Sequence, residues 1–114
     1  MHLSRRIRFV VFGLACAVVA FLSLIPQEDV PPTGISDRVH HLVAYGLLAV
    51  IGAWAYGPST RLAIVLIAFG AAVEVLQGVM GFGRHADVLD GLMNTLGVIL
   101  GLALALLALR VRRR

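Results

Sequence analysis

Apolar residues run almost unbroken along this chain, and the polar ones gather in short clusters between the runs. Four stretches, Phe9–Ile25, Val39–Tyr56, Leu62–Phe82 and Val88–Leu109, each approach the roughly 20 residues that carry an α-helix across a bilayer core. The pattern predicts an all-α fold: one integral membrane domain, residues 1–114, built as a bundle of four transmembrane helices.

The joints between runs carry the expected punctuation. Pro26 ends the first span, and Pro31, Pro32 and Gly34 keep the next link extended until Ser36 or Asp37 caps the second helix. Gly57-Pro58-Ser59-Thr60 predicts a tight turn with Ser59 or Thr60 as the following cap. Gly81-Phe82-Gly83 breaks the third span, and Asp87 is placed to cap the fourth with Asp90 in its first turn. No internal repeat or low-complexity tract is present, and the spans leave no length for a soluble domain.

Composition supports the membrane reading: 60% of residues are hydrophobic and 14% charged, with a mean hydropathy of +0.94. Soluble domains carry about 25% charged residues. All ten basic residues are arginines, eight of them on one side of the expected bundle (Arg5, Arg6, Arg8, Arg61, Arg110, Arg112, Arg113, Arg114) and two, Arg38 and Arg84, on the other. Short arginine-rich segments stay in the cytoplasm, so both termini are expected there. The net charge of +4 then reflects membrane topology, and nucleic acid is not an expected partner. Arg5, Arg6 and Arg8 before an apolar run also resemble a signal-peptide start. However, the run continues to Ile25, past the 7–15 residues of a signal core, which favours a retained helix. Cys16 is the sole cysteine and reads as a small packing residue.

Against this background the polar residues inside the spans stand out, because ionisable groups in a bilayer are costly and tend to serve function. Asp87, Asp90, Asn94, Gly97 and Gly101 follow a 3,4,3,4 rhythm, which puts two acids, an amide and two glycines on one helical stripe. Asp37, His41 and Tyr45, at i, i+4 and i+8, share a face of the second helix, with Arg38 and His40 off that stripe. Glu74 and Gln77 share a face of the third. With alternating helix direction these stripes all fall at the outer end, where Arg84 also lies. The expected binding set is therefore Asp37, His41, Tyr45, Glu74, Gln77, Arg84, Asp87, Asp90 and Asn94, gathered in one pocket. Glu74 is the strongest member, because a carboxylate inside a span needs a partner or a proton.

Ser-Asp-Arg-x-x-His-x-x-x-Tyr at Ser36–Tyr45, then Glu74-x-x-Gln77, Arg84 and Asp87-x-x-Asp90-x-x-x-Asn94-x-x-Gly97-x-x-x-Gly101, resembles the VanZ-like family of small bacterial membrane proteins. The resemblance spans Leu24 to Gly101. Arg38 stands where lysine is more usual, and His41 is the histidine that keeps the family spacing to Asp37 and Tyr45. The resemblance implies a multi-span helical protein of the bacterial cell envelope, tied by the family's name to antibiotic resistance through lowered susceptibility to glycopeptides such as teicoplanin. It implies no reaction.

Three functional classes remain. The first is an envelope protein that binds the head group of a lipid-linked or amphiphilic molecule in an outward-facing polar pocket. The second is an intramembrane enzyme in which His41, oriented by Asp37, acts as acid or base while Glu74 and Asp90 hold a cation or activate water. The third is a structural or partner-binding bundle, in which Asp87 caps, Asn94 links helices and the glycines allow close approach. The chain lacks a nucleophile motif, an H-E-x-x-H zinc signature and a phosphate loop, which ranks the enzyme below the binding protein. No cofactor is predicted from a motif; a divalent cation is compatible with the acids. Gly97 and Gly101 suit either a homodimer contact or packing within one chain.

Overall fold

The computed structural model describes residues 3–81 and 86–114, the side chain of Gln27 excepted. It consists of four helices: α1 (Arg5–Leu24), α2 (Asp37–Tyr56), α3 (Thr60–Met80) and α4 (Val88–Arg112). A short 3-10 turn, Gln27–Asp29, lies in the first link. Each helix is long and apolar enough to cross a membrane. The 48 Å long axis of the bundle exceeds the about 30 Å hydrocarbon core, leaving helix ends for the interfaces.

Local chemistry sets the helix ends. Ser4, Ser36 and Ser59 cap α1, α2 and α3, each side-chain oxygen accepting from the backbone amide three residues on, and Asp87 caps α4 through Leu89 N at 2.9 Å. Gly81 ends α3 at φ +84°, a conformation that side chains resist. Each helix passes one end of its hydrophobic span: α1 begins at Arg5 rather than Phe9, α2 at Asp37 rather than Val39, α3 at Thr60 rather than Leu62, and α4 continues to Arg112 rather than Leu109, while Phe82, the expected end of the third span, lies outside the described residues. Hydropathy marks the extent of the hydrocarbon, whereas the helix ends follow the serine caps of α2 and α3 and, in α1 and α4, arginines, which are good helix formers.

Side-chain placement fixes the directions. Gly97 faces the Leu42 carbonyl and Gly101 faces the Gly46 carbonyl, so residue numbers rise together and α2 runs parallel to α4. A Cβ at either glycine would collide with those carbonyls. Gly97 and Gly101 are therefore used within the chain, to bring α4 onto α2. Helix α1 is antiparallel to α2, with Phe9 stacked on Tyr56 at 4.4 Å and Arg8 donating to the Trp54 carbonyl at 3.0 Å. Gln77 on α3 donates to the Ser23 carbonyl of α1 at 2.8 Å, so these two helices end at the same level.

The core is narrow, built on Tyr45, Leu48, Ala49, Leu66 and Val98. Large apolar side chains point outward instead: Phe21, Ile64, Val79 and Leu104 are all more than 60% exposed. A surface of that kind would drive aggregation in water and is the ordinary lining of a helix in lipid. The antiparallel arrangement also segregates charge. The six acidic residues lie toward the end where α1 and α3 finish, and eight of the ten arginines toward the other.

Candidate functional site

Three helices bring one ionisable residue each to the acidic end of the bundle. His41 lies in the second turn of α2, Glu74 in the penultimate turns of α3 and Asp90 in the first turn of α4. A ring nitrogen of His41 and a carboxylate oxygen from each acid lie within 4.8 Å of one another. His41 and Asp90 are mostly covered, with side chains 13% and 16% exposed, and Glu74 is 8% exposed.

The neighbours hold these groups in defined orientations. Asn94, one turn beyond Asp90, accepts from His41 Nδ1 at 2.7 Å through its Oδ1. That bond places the proton of a neutral imidazole on Nδ1 and leaves the Nε2 lone pair facing Asp90 Oδ2 at 3.7 Å. Glu74 Oε1 accepts the backbone amide of Asp87 at 2.7 Å. Its second oxygen, Oε2, is buried without a hydrogen-bond partner among the described residues, as are Tyr45 Oη and Asn94 Nδ2. Native interiors pair nearly all such atoms, so three orphans in one region mark it as unusual. Gly70 provides the room for this packing: a Cβ there would stand 3.0 Å from the Tyr45 ring and 3.2 Å from Asn94 Nδ2.

Beside this group, at the acidic end of the bundle, is a cavity of about 360 Å³ formed by α1, α2, the link that joins them and Gln77 of α3. Val19, Leu22, Val30, Pro31 and Ala44 are among its apolar lining residues. Asp37, His40, His41, Tyr45 and Gln77 also line it. The side-chain spacing predicts a single pocket for the polar residues; in the structure Asp37, His41, Tyr45 and Gln77 line the cavity, while Glu74 and Asp90 meet His41 beside it. Glu74, Asp87, Asp90 and Asn94 are not in the cavity wall: Glu74 and Asp87 bond to backbone amides at the α4 N-terminus, and Asp90 and Asn94 face His41 from the side of α4. His41 belongs to both parts. Arg84 lies outside the described residues.

His40 corrects the sequence reading in a second respect. The i, i+4, i+8 stripe leaves it out, yet it lines the cavity, lies 3.8 Å from Asp37 and hydrogen-bonds Thr33 at 2.6 Å. Its i+3 spacing from Asp37 is the sequence signal for this, since i+3 and i+4 neighbours lie on the same face. Thr33 and the Ser23 carbonyl carry no sequence signal, because both contacts depend on how the first link and α1 fold back. Comparison with family models, with curated proteins and with solved structures finds no match to this chain.

Proposed function

We propose that this protein binds an amphiphilic molecule in the bacterial cytoplasmic membrane, with its arginine-rich end and both termini in the cytoplasm and its cavity at the outer leaflet. One observation carries the reading: the cavity is lined both by apolar residues, Val19, Leu22, Val30, Pro31 and Ala44, and by polar ones, Asp37, His40, His41 and Gln77. Its volume is within the about 300–1,000 Å³ of small-molecule sites. An acyl or prenyl segment suits the apolar lining residues, and a hydroxyl- or amine-bearing head suits the polar ones, which are rich in hydrogen-bond acceptors. Tyr45 also contributes to the lining, with its hydroxyl buried and without a described protein partner.

The resemblance to the VanZ-like family joins this reading to a phenotype. A protein that holds a lipid-linked envelope component at the outer leaflet would alter susceptibility to glycopeptides, which act on such components. The direct test is native mass spectrometry of the protein taken from its own membrane in mild detergent. A retained amphiphile is expected with the wild-type chain and not with Ala44→Phe, which fills the cavity. A bare wild-type mass, with no melting shift from any fraction of the native lipid extract, would remove the proposal.

A further inference from the structure

We infer that His41, Glu74 and Asp90 form a binding site for a divalent transition-metal ion with nitrogen and oxygen ligands, of the zinc or manganese type. The inference stands on the three-helix group and does not depend on the amphiphile reading. One imidazole nitrogen and two carboxylate oxygens from α2, α3 and α4 already lie within 4.8 Å of one another. Ligands at the usual 2.0–2.2 Å from a tetrahedral ion stand about 3.4 Å apart, so closure asks the ligand atoms to draw together by about 1 Å, a distance within the reach of side-chain rotation.

Three further observations point to a ligand. Glu74 is more than nine-tenths buried, and its carboxylate stands in the group with Oε2 unpartnered. His41 has its Nδ1 proton held by Asn94 Oδ1, the outer contact that metal-bound histidines use to fix the tautomer and aim the other nitrogen. The Nε2 lone pair so aimed faces the Asp90 carboxylate, an arrangement of two electron-rich atoms that a cation between them turns from repulsive to favourable. Among the described residues no arginine makes an ion pair with Glu74 or Asp90. Two carboxylates and a neutral imidazole sum to −2, the charge that one divalent ion cancels.

The ligand types select the metal. An imidazole disfavours magnesium and calcium, which take oxygen, and the lack of any thiolate in the group disfavours soft copper(I). Three protein ligands leave at least one coordination position open, and His41 also lines the cavity.

The test is titration of Zn²⁺ and Mn²⁺ into the chelator-treated full chain in detergent, read by calorimetry and by melting temperature. Saturable binding of one ion per chain is expected, with Mg²⁺ producing no shift. Glu74→Gln and Asp90→Asn should weaken binding by more than the about 10–100-fold that an outer-contact change such as Asn94→Ala causes. Glu28→Gln in the first link should leave binding intact. Circular dichroism of each metal-free variant checks that it folds. X-ray absorption of the wild-type complex supplies a readout free of any variant: a first shell of nitrogen and oxygen with an imidazole signature is expected. No saturable binding, binding unchanged in both acid variants, or a shell containing sulfur would overturn the inference. Unchanged binding would place the ion elsewhere, for instance on the Asp37–His40 pair.

Discussion

The Asp87 amide donates to Glu74 Oε1 at 2.7 Å, so the residue that caps α4 also satisfies half of the carboxylate buried in α3. Glu74 thereby ties two helices across the third link while its other oxygen has no described partner. The two halves of one side chain predict opposite responses to substitution. In Glu74→Gln the amide oxygen keeps the Asp87 contact and the formal charge disappears from the span. The metal-free melting temperature in detergent is expected to hold or rise, because removing a buried charge is often stabilising. Glu74→Leu removes the acceptor and leaves the Asp87 amide unpaired, a loss of about 1–3 kcal/mol. Equal melting of the two variants would show that the Asp87 contact contributes nothing.

The close approach of α2 and α4 gives a second contrast, between glycines of one helix. Gly97 faces the Leu42 carbonyl so closely that even a methyl group forces the helices apart, whereas Gly91 has open space where its Cβ would be. Gly97→Ala should therefore lower the melting temperature and the detergent-extracted yield. Gly91→Ala should be neutral or stabilising by up to about 1 kcal/mol, the helix-propensity difference. If the two variants behave alike, the carbonyl contact is not what sets the spacing of α2 and α4.

Helix ends are legible in this sequence because capping is local. Ser36, Ser59, Asp87 and Gly81 act within three or four residues of themselves, and their chemistry needs no knowledge of the rest of the chain. The grouping of His41, Glu74 and Asp90 is legible more coarsely: alternating spans put all three at one end, and helical spacing put each on a polar face. Their separation from the cavity is not legible. It depends on the rotation of each helix about its own axis, which decides that Gln77 turns to Ser23 while Glu74, three residues away, turns to Asp87. The same limit applies to Gly97 and Gly101, whose spacing serves two copies or one chain equally well until the position of α2 is known.

Orientation in the membrane provides a third prediction. With Cys16→Ser as background, single cysteines at Thr33, in the first link, and at Ser59, the α3 cap, report on opposite ends of the bundle. A membrane-impermeant maleimide added to intact cells should label the Thr33→Cys protein and spare Ser59→Cys until the membrane is opened. This follows from the eight arginines that share the Ser59 end. The reverse labelling would place the cavity on the cytoplasmic side and remove any role at the outer leaflet.

The His41–Asn94 bond supplies the last prediction, because its members differ in what they leave behind. Asn94 is 2% exposed and accepts the His41 Nδ1 proton at 2.7 Å, across 53 residues of chain and between two parallel helices. Removing it by Asn94→Ala strands a ring N–H in a covered position, and His41→Ala strands the amide oxygen. Each single change should therefore destabilise the metal-free protein, and the double change should cost less than their sum, since neither orphan then remains. Hydrogen bonds between membrane helices couple by about 0.6 kcal/mol on average and up to about 1.7, and the covered 2.7 Å contact belongs toward the upper part of that range. A double-mutant cycle on detergent unfolding measures the coupling directly. A value indistinguishable from zero would mean that Asn94 does not hold the His41 ring, and the orientation of Nε2 toward Asp90 would lose its structural basis.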